Sequence, residues 1–587
     1  MNYRTYSDFK KGVIHTDAIG IGKEASGTLR EGKNIRVRSG SIAARPGRSV
    51  FSDLSGGALA GATIQTIHEF QREAFDGSDF IIWSSIIFTA NNRMYYIVPD
   101  DSTTVFVEID NTFTLASMDI YGVSVFDHFF FGNAQDPLKM TNAVYVANVG
   151  IEPPGTDPTN VNAGGTLTGF KKYKYTFYDG TIPYPRESNA SDELEVEFIA
   201  TQKTTITMDA GDADDSVTRF RLYATEIYAD PLAPETDFFL ISEQVLGTTT
   251  YEDDAATATS TPYDTTDRGV PPVGHKLLWH DSRLFVVGES DNPSIIFYSE
   301  TGRPWYFPAN NWDEISRDDG DFITALGSIG RTRYIFKERS IYEWTGDPES
   351  VTPITAVERP GATMNMNRVA VGCKDPKSLV SHGSSLLFRA HDGHVYQITP
   401  NNLVKLSEFY LDVLDLADDS IAAELDDYYI ISSGGVTHVC DLRTGAWQGN
   451  DTIMTPNSLL VYHTDILLGA EGDEMKQYYT GTQDEGEDFE KSFKLPFKGI
   501  TSGEQSARIR RWVIEDSLRT ADVTVTSFNE KEQIDSGTYA NGTRHYSLPA
   551  STRGKVADYL SGKFAWTTGS LVVEGVRAFF LKTLRRH

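Results

Sequence analysis

The sequence predicts an all-β protein built around a β-propeller, and three observations lead to that prediction. Short runs of β-branched and aromatic residues, such as 80–83, 93–98 and 283–287, are separated by Gly, Asn, Asp and Pro. Segments with the 3.6-residue period of an amphipathic helix are scarce. A loose unit of three or four short strands recurs along the chain at intervals of roughly 45–55 residues.

The recurring unit is the element that predicts propeller blades. Each copy has a short strand, a small or polar turn, an apolar strand, an Asp, Asn or Gly turn and a third strand; copies begin at Ile64, Met118, His275, Ile323, Ser378 and Ile421. One unit cannot bury its sheet alone, so neighbouring units must stack around an axis. At about 45 residues per blade, residues 61–150 and 271–482 predict six blades, or seven.

Three further regions interrupt or flank the propeller. Residues 151–270 begin and end in proline-rich segments and carry strand patterns every ~8–15 residues, which predicts a fibronectin-III-like β-sandwich inserted in a loop between two blades. Residues 483–587 follow an acidic boundary and predict a smaller C-terminal β domain. Residues 1–60 precede the first blade as an N-terminal segment.

Charge is distributed unevenly along the 587 residues. The formal net charge is −29, but residues 1–60 carry +5 and residues 501–587 carry +4. Residues 61–500 carry −38, and the predicted insert contributes −14 of this. A chain of this sign is not expected to bind nucleic acid or an anionic membrane by simple electrostatic attraction.

The cysteine content and the N-terminus bear on the compartment. Cys373 and Cys440 are the only cysteines, too few for a disulfide framework. The first residues lack the apolar core of a signal peptide, and no apolar run approaches the ~20 residues of a membrane span. We therefore expect synthesis in a reducing cytoplasm and no membrane segment.

Signatures of catalysis and metal binding are weak. The sequence contains no GxxxxGK[ST], HExxH or GxSxG. His391 and His394 have a spacing that suits a metal, but the intervening Asp-Gly predicts a β-turn. The acidic segment 209–215 lacks the Gly and Glu positions of an EF-hand loop, so we expect a solvated loop. We predict no enzyme, catalytic residue, metal or cofactor.

Several short segments occur in an order that is familiar. The first runs from Gly32 to Gly47 and ends in Arg45-Pro46-Gly47. The second pairs 283–288 with 298–305, and the third pairs 322–326 with 336–346. These segments resemble the tail nozzle or tail hub family of short-tailed bacteriophages, also called tail tubular protein B or packaged-DNA stabilisation protein. The resemblance covers roughly 1–150 and 271–450.

The resemblance implies a structural role in a virion tail. It implies a homo-oligomeric ring, a hexamer, that lies below the portal and its adaptor, contacts tail fibres or tailspikes and forms a channel for double-stranded DNA. The ring would retain the packaged genome and conduct it during ejection. An acidic channel wall would repel phosphate, so that DNA contact would be transient and non-specific.

The basic chain ends are the predicted platform for docking to other rings. The residues proposed for this contact are Asn34, Arg36, Arg38, Arg45, Arg508, Arg510 and Arg511. Their types suit bonds to carboxylates or phosphates of a partner. The alternating spacing of Arg508 and Arg510 predicts a common strand face, and a plain solvent-exposed face is an equally good interpretation.

A glycan-binding or glycan-degrading propeller is the alternative function. Fibronectin-like modules and the aromatic residues Trp305, Tyr306 and Trp312 would suit stacking against sugars, although such residues more often pack between blades. The segment from Ser299 to Trp305 is the nearest match to a sialidase Asp box, but it lacks the Asp and does not recur.

Overall fold

The structure is a computed structural model of the chain. It describes residues 2–7, 9, 28–38, 41–53, 59–75, 80–98, 106–180, 185–211, 213, 216–257, 260–288, 293–316, 319–348, 355–356, 371–400, 402–408, 410, 419–451, 456–495, 498–499, 505–529, 533–540, 545–547 and 559–584. The helical element of these residues is a short 3-10 turn at Pro376–Ser378. No helix in the described ranges has the length and hydropathy that crossing a membrane requires.

Thirteen strands precede the predicted insert. They are β1 (Asn2–Ser7), β2 (Glu31–Lys33), β3 (Ile35–Arg38), β4 (Ser41–Ala44), β5 (Arg48–Asp53), β6 (Thr66–Phe75), β7 (Phe80–Ala90), β8 (Arg93–Ile97), β9 (Phe106–Glu108), β10 (Tyr121–Val125), β11 (His128–Gly132), β12 (Lys139–Thr141) and β13 (Val146–Asn148).

Six strands form the insert and nineteen follow it. The insert contains β14 (Thr159–Asp179), β15 (Arg186–Glu187), β16 (Leu194–Thr207), β17 (Arg219–Ala224), β18 (Phe239–Val245) and β19 (Thr250–Asp253). The next nineteen are β20 (Gly274–His280), β21 (Arg283–Gly288), β22 (Ile295–Tyr298), β23 (Trp312–Glu314), β24 (Ile323–Ile329), β25 (Thr332–Lys337), β26 (Ile341–Thr345), β27 (Thr355–Ala356), β28 (Val380–His382), β29 (Ser385–Arg389), β30 (Val395–Thr399), β31 (Asn402–Lys405), β32 (Ile421–Leu425), β33 (Tyr428–Ser433), β34 (Val436–Asp441), β35 (Ala446–Asp451), β36 (Ser458–Tyr462), β37 (Ile466–Glu471) and β38 (Glu474–Tyr478).

Eight strands complete the chain. They are β39 (Lys491–Lys494), β40 (Lys498–Gly499), β41 (Gln505–Arg519), β42 (Val523–Asn529), β43 (Gln533–Tyr539), β44 (His545–Ser547), β45 (Tyr559–Trp566) and β46 (Leu571–Leu584).

The repeated unit is a four-stranded sheet, as expected for a propeller blade. The sheets are β6-β7-β8-β9, β10-β11-β12-β13, β20-β21-β22-β23, β24-β25-β26-β27, β28-β29-β30-β31, β32-β33-β34-β35 and β36-β37-β38-β5; the sixth is one end of a ten-stranded sheet, and the other six are separate. The all-β class and the propeller-type architecture are thereby confirmed. Seven such sheets lie in the described residues, and the number of blades in a closed ring stays a prediction.

Consecutive sheets share hydrophobic cores. Phe70 and Met94 of the first sheet pack with Phe129 and Phe131 of the second. Another cluster joins the second and third sheets, and a third cluster joins the sixth and seventh. This face-to-face stacking buries the apolar face that a single sheet would leave exposed, which is the physical reason for the repeat.

The seventh sheet is completed by the N-terminal strand β5. Arg48 pairs with Tyr478, and Asp53 pairs with Glu474 in an antiparallel register. The sequence places residues 48–53 in an N-terminal segment outside the propeller, so the structure corrects that assignment. One edge of β38 would otherwise be open, and β5, which is distant in sequence, pairs with it and satisfies its backbone groups.

The insert has its own core and a continuous sheet. The sheet order is β18-β17-β14-β16-β19, with β15 added beside β14. Aromatic residues such as Tyr173, Tyr175 and Phe220 fill the core. The long strands β14 and β16 pair along most of their length, with register shifts between Gly164 and Gly169. A two-sheet fibronectin-III topology stays a prediction.

The two ends of the chain fold together. The strands β3-β4-β46-β41-β44 form one sheet, and β1 pairs with β46. A second sheet continues from β35 through β2, β39, β45 and β42 to β43. We call β1–β4 with β39–β46 the terminal body; its core includes Ile35, Trp512 and Phe564. The sequence treats these ends as separate regions, whereas their strands share both sheets.

The chain divides into two compact units. The first comprises Met1–Glu69, Gly327–Glu343 and Thr355–His587, and it contains the terminal body. The second comprises Phe70–Leu326 and Trp344–Ile354, and it contains the insert.

Candidate functional site

Three of the predicted docking residues are buried within the first unit. Asn34 is 1% exposed, Arg45 is 5% exposed and Arg36 is 8% exposed. Asn34 adopts a positive φ of 53° between β2 and β3, and its side-chain amide donates to the Glu490 carbonyl at 2.8 Å. Asparagine tolerates this left-handed conformation better than most residues, so it suits the sharp turn at this position.

Arg45 makes a bidentate ion pair with Asp484. Its two terminal nitrogens lie 3.1 and 2.8 Å from the two carboxylate oxygens of Asp484. Its Nε donates to Asn34 Oδ1 at 3.1 Å, and the guanidinium lies 4.0 Å above the ring centre of Phe489. The planar guanidinium therefore uses both its fork of donors and its face.

Arg36 makes a second buried ion pair, with Asp451 at the end of β35. The distances from Arg36 to the two carboxylate oxygens are 3.3 and 2.7 Å, and the hydroxyl of Tyr479 donates to Asp451 at 3.1 Å. Burial alone would lower the pKa of Arg36, but the charges of Asp451 and the neighbouring tyrosine raise it above its ordinary value. The arginine remains charged at every physiological pH.

The structure gives these three side chains an intrachain role. They join the N-terminal strands to the end of the sixth sheet and to the segment before β39, so they are not available on the surface of the chain. Their contact with another ring stays a prediction without structural support, because using them would require breaking buried ion pairs.

The other predicted docking residues lie on strands of one sheet. Arg38 ends β3, and Arg508, Arg510 and Arg511 lie on β41. The register shifts between Ile509 and Arg511, so the alternation expected to place Arg508 and Arg510 on one face is interrupted there. Arg511 is half-buried. Docking through these four residues stays a prediction.

The histidine pair at 391 and 394 forms the predicted turn. Gly393 has a φ of 80°, its amide donates to the Ala390 carbonyl at 3.0 Å, and the His394 amide donates to Asp392. His394 Nδ1 lies 2.9 Å from the Ser407 hydroxyl. The bonds of the turn account for the spacing of the two histidines. In the acidic segment 209–215, the residues Asp212, Asp214 and Asp215 lie outside the described residues.

One group of ligand-type side chains joins the fifth and sixth sheets. His382 Nδ1 lies 3.4 Å from Glu424, and its Nε2 lies 3.8 Å from Asp427. The two ring nitrogens therefore face two different carboxylates. The Asp427 amide also donates to Glu424 at 2.9 Å. We interpret the group as a polar bridge between two hairpins, because each ring nitrogen faces a different carboxylate.

A cavity of about 350 Å³ lies at the root of the insert in the second unit. Its aromatic walls are Tyr178 of β14, Tyr223 of β17, and Trp305 and Tyr306 of the loop after β22. That loop is held by backbone hydrogen bonds, including one from the Glu300 amide to the Tyr306 carbonyl at 2.8 Å. The sequence singled out Trp305 and Tyr306 for sugar stacking; both are largely buried. Trp312, the third, is 45% exposed.

Five charged side chains also line the cavity. Glu187 accepts hydrogen bonds from the hydroxyl of Tyr223 at 2.6 Å and from Arg221 at 3.1 Å, and it lies 3.6 Å from Arg268. At the other side, Asp264 lies 3.4 Å from Arg303 and 3.7 Å from Arg268.

The electrostatics of the cavity favour the ionised form of Asp264. Burial alone would raise the pKa of Asp264, but hydrogen bonds from Thr266 and the charges of Arg268 and Arg303 lower it below its ordinary value. Sequence patterns did not point to Glu187, because its partners Arg221, Tyr223 and Arg268 come from other parts of the chain.

Comparisons with known proteins identify no relative. No family model matches the chain, and no curated protein matches it. Among solved structures, it is similar to a computationally designed protein, Ika8, with a TM-score of 0.33, 9% identity, and coverage of 73% of this chain and 98% of that one. The Pan2 WD40 domain of Neurospora crassa gives a TM-score of 0.31 at 9% identity, covering 74% and 95%. These scores are too low to carry an argument, and the fold rests on the sheets themselves.

Proposed function

We propose that this chain is a structural component of a bacteriophage virion tail, a subunit of a nozzle or hub ring distal to the portal and adaptor. The observation that carries the proposal is the terminal body, in which two basic chain ends share the same sheets. Such a body offers one platform built from both chain ends, while the sheets of the acidic region form the rest of the subunit. The ring is a hexamer in this proposal.

The segments that carry the family resemblance have architectural positions. Arg45 makes a buried ion pair, and a Cβ atom at Gly47 would overlap the backbone carbonyl of Gln483. The loop containing Gly302, Arg303 and Trp305 forms a tight hydrogen-bonded turn. Such positions support a structural protein, in which the segments that resemble the tail nozzle family serve folding rather than catalysis.

The acidic insert supports transient contact with DNA. Glu195 and Glu197 are exposed at alternate positions of β16, and Glu193, which immediately precedes the strand, is exposed as well, so the three form a row of carboxylates. Phosphates would be repelled by such a row within about one Debye length, ~10 Å. Replacing the three glutamates with lysine should slow genome ejection, and unchanged ejection kinetics would count against a channel-facing role.

The location in a virion is tested by labelling. Antibodies against the chain should decorate the tail ends of intact particles in negative-stain electron microscopy, with a capsid antibody as the control. Decoration of free protein alone, with tails unlabelled, contradicts the proposal. Release of reducing ends from bacterial capsule by the purified chain would favour the glycan-degrading alternative instead.

A further inference from the structure

The cavity at the root of the insert has an unusual charge for its surroundings. Its lining contains the arginines 221, 268 and 303 against the carboxylates Glu187 and Asp264, an excess of one positive charge. The insert around it carries a net charge of −14. A local excess of arginine in an acidic region indicates a place where an anion is favoured over its general surroundings.

The charged groups of the cavity differ in how fully they are bonded. Glu187 receives hydrogen bonds from Thr176 at 2.7 Å, from Tyr223 and from Arg221, so its acceptor capacity is used within the chain. Arg221 is likewise bonded, because it also pairs with Glu243 at 3.0 Å and lies 3.5 Å over the ring of Tyr178. These groups form a rigid wall.

Arg303 is the accessible donor of the cavity. Its side chain is 46% exposed; it forms an ion pair with Asp264 at 3.4 Å, and its guanidinium lies 5.8 Å from the ring centre of Tyr306. A guanidinium carries five N–H donors, so most of them face the cavity or solvent. Asp264 is equally exposed. A weak, exposed pair of this kind costs little to exchange for a better carboxylate ligand.

The rest of the lining combines aromatic side chains with Pro185, Thr261 and Pro262. Trp305 and Tyr306 meet edge to face, with ring centres 6.2 Å apart, and Tyr178 and Tyr223 face the cavity from the insert. Aromatic walls with a few charged groups are typical of sites for small ligands, and 350 Å³ is at the small end of such cavities. An apolar ring face, such as the C–H face of a sugar, suits these walls.

We propose that this cavity binds a carboxylated sugar, a hexuronate-type ring, with Arg303 on the carboxylate and the aromatic walls against the ring. The site goes beyond the proposed tail function and does not depend on it. A bare phosphate or an acidic peptide would satisfy the arginine but would leave the aromatic walls without a matching surface. The sugar is therefore the ligand that uses both features.

The test is binding of D-glucuronate to the full chain, measured by calorimetry or ligand-observed NMR. Glucuronate should bind at least about tenfold more tightly than D-glucose or glucuronamide, because a hydrogen bond between charged groups is lost with the neutral sugars. Equal binding of all three sugars overturns the proposal. So does binding of acetate or inorganic phosphate as tight as that of glucuronate, or the absence of glucuronate binding, whether or not an acidic peptide binds.

Two variants separate the site from general folding effects. Arg303→Gln should weaken glucuronate binding by about tenfold or more, whereas Arg219→Gln, a surface variant of the same insert, should leave it unchanged. Asp264→Asn removes the competing carboxylate and should tighten binding several-fold, a gain that structural damage does not produce. Unchanged affinity in both cavity variants overturns the assignment. Loss of sugar binding in a chain that still forms rings would affect this inference alone.

Discussion

Replacing Arg45 with methionine should free the N-terminal strands from the rest of the first unit. Methionine keeps most of the volume and the apolar contact with Phe489, so the change removes mainly the charge and the fork of donors. Asp484, whose side chain is 9% exposed, then loses both of its 3.1 and 2.8 Å bonds to Arg45. Removing one partner of a buried ion pair costs about 3–5 kcal/mol, since the other charge stays buried without compensation.

Hydrogen exchange measures this loss where it occurs. A chain with two compact units need not unfold in one step, so the local opening free energy of β3, β4 and β5 is the suitable quantity. Amides of these strands should exchange about two to four powers of ten faster in Arg45→Met. Combining Arg45→Met with Asp484→Leu should recover part of the protection, because neither charge is then left alone.

The matched control is the exposed pair of Lys33 and Glu490. Their nitrogen and oxygen also lie 2.8 Å apart, but their side chains are 37% and 49% exposed. Lys33→Met should therefore cost less than about 1 kcal/mol. If Arg45→Met and Lys33→Met change the exchange of β3 to β5 equally, the reasoning that burial makes Arg45 essential to this joint is refuted.

Three other perturbations test the packing. Burial, followed by the charge of Arg186, lowers the pKa of His128 to about 4, below its value in the unfolded chain. The free energy of unfolding should therefore fall as the pH drops from about 6.5 to 4, by up to about 1.4 kcal/mol per pH unit. When unfolding is followed across this range, the slope should be smaller in His128→Gln. Cys373 and Cys440 are fully buried, so a thiol reagent should label neither in the native chain and both after denaturation; rapid native labelling contradicts the core assignment. Gly47→Ala should destabilise the first unit by about 1–3 kcal/mol, since the added methyl group overlaps a backbone carbonyl; an unchanged denaturation midpoint would disprove the close approach.

The repeated sheets were predictable because their signal is local. Each unit, such as Ile421–Leu425 with Tyr428–Ser433 and Val436–Asp441, consists of adjacent strands joined by Asp, Gly or Asn turns. Their alternation of apolar residues and the turn chemistry lie within one short window. The recurrence of the window then predicts stacking, since one sheet leaves an apolar face exposed.

The pairing of β5 and the terminal body were not predictable in the same way. Strand β5 pairs with β38, more than 400 residues further along the chain, and β1 pairs with β46. Nothing in the local pattern of Arg48–Asp53 indicates whether this strand pairs with the edge of a distant sheet or lies in solvent. Such pairings depend on which edges are left open after the rest of the chain has folded.

The candidate site shows the same limit for charge. The charge count shows that both chain ends are basic, but it does not show whether an arginine faces solvent or a buried carboxylate. Arg36 and Arg45 meet Asp451 and Asp484, and these partners become visible only with the three-dimensional arrangement. The cavity residues Glu187 and Arg303 come from different elements, so no spacing in the sequence relates them.

The mass of the native particle tests the proposed function most directly. The chain has a mass of 65.1 kDa, and a hexameric ring has six times that mass. Native mass spectrometry or mass photometry of the purified chain should show this closed assembly as a discrete species, and two-dimensional averages should show its six-fold symmetry. A monomer at every concentration tested, together with an absence of rings from isolated tails, would contradict the account.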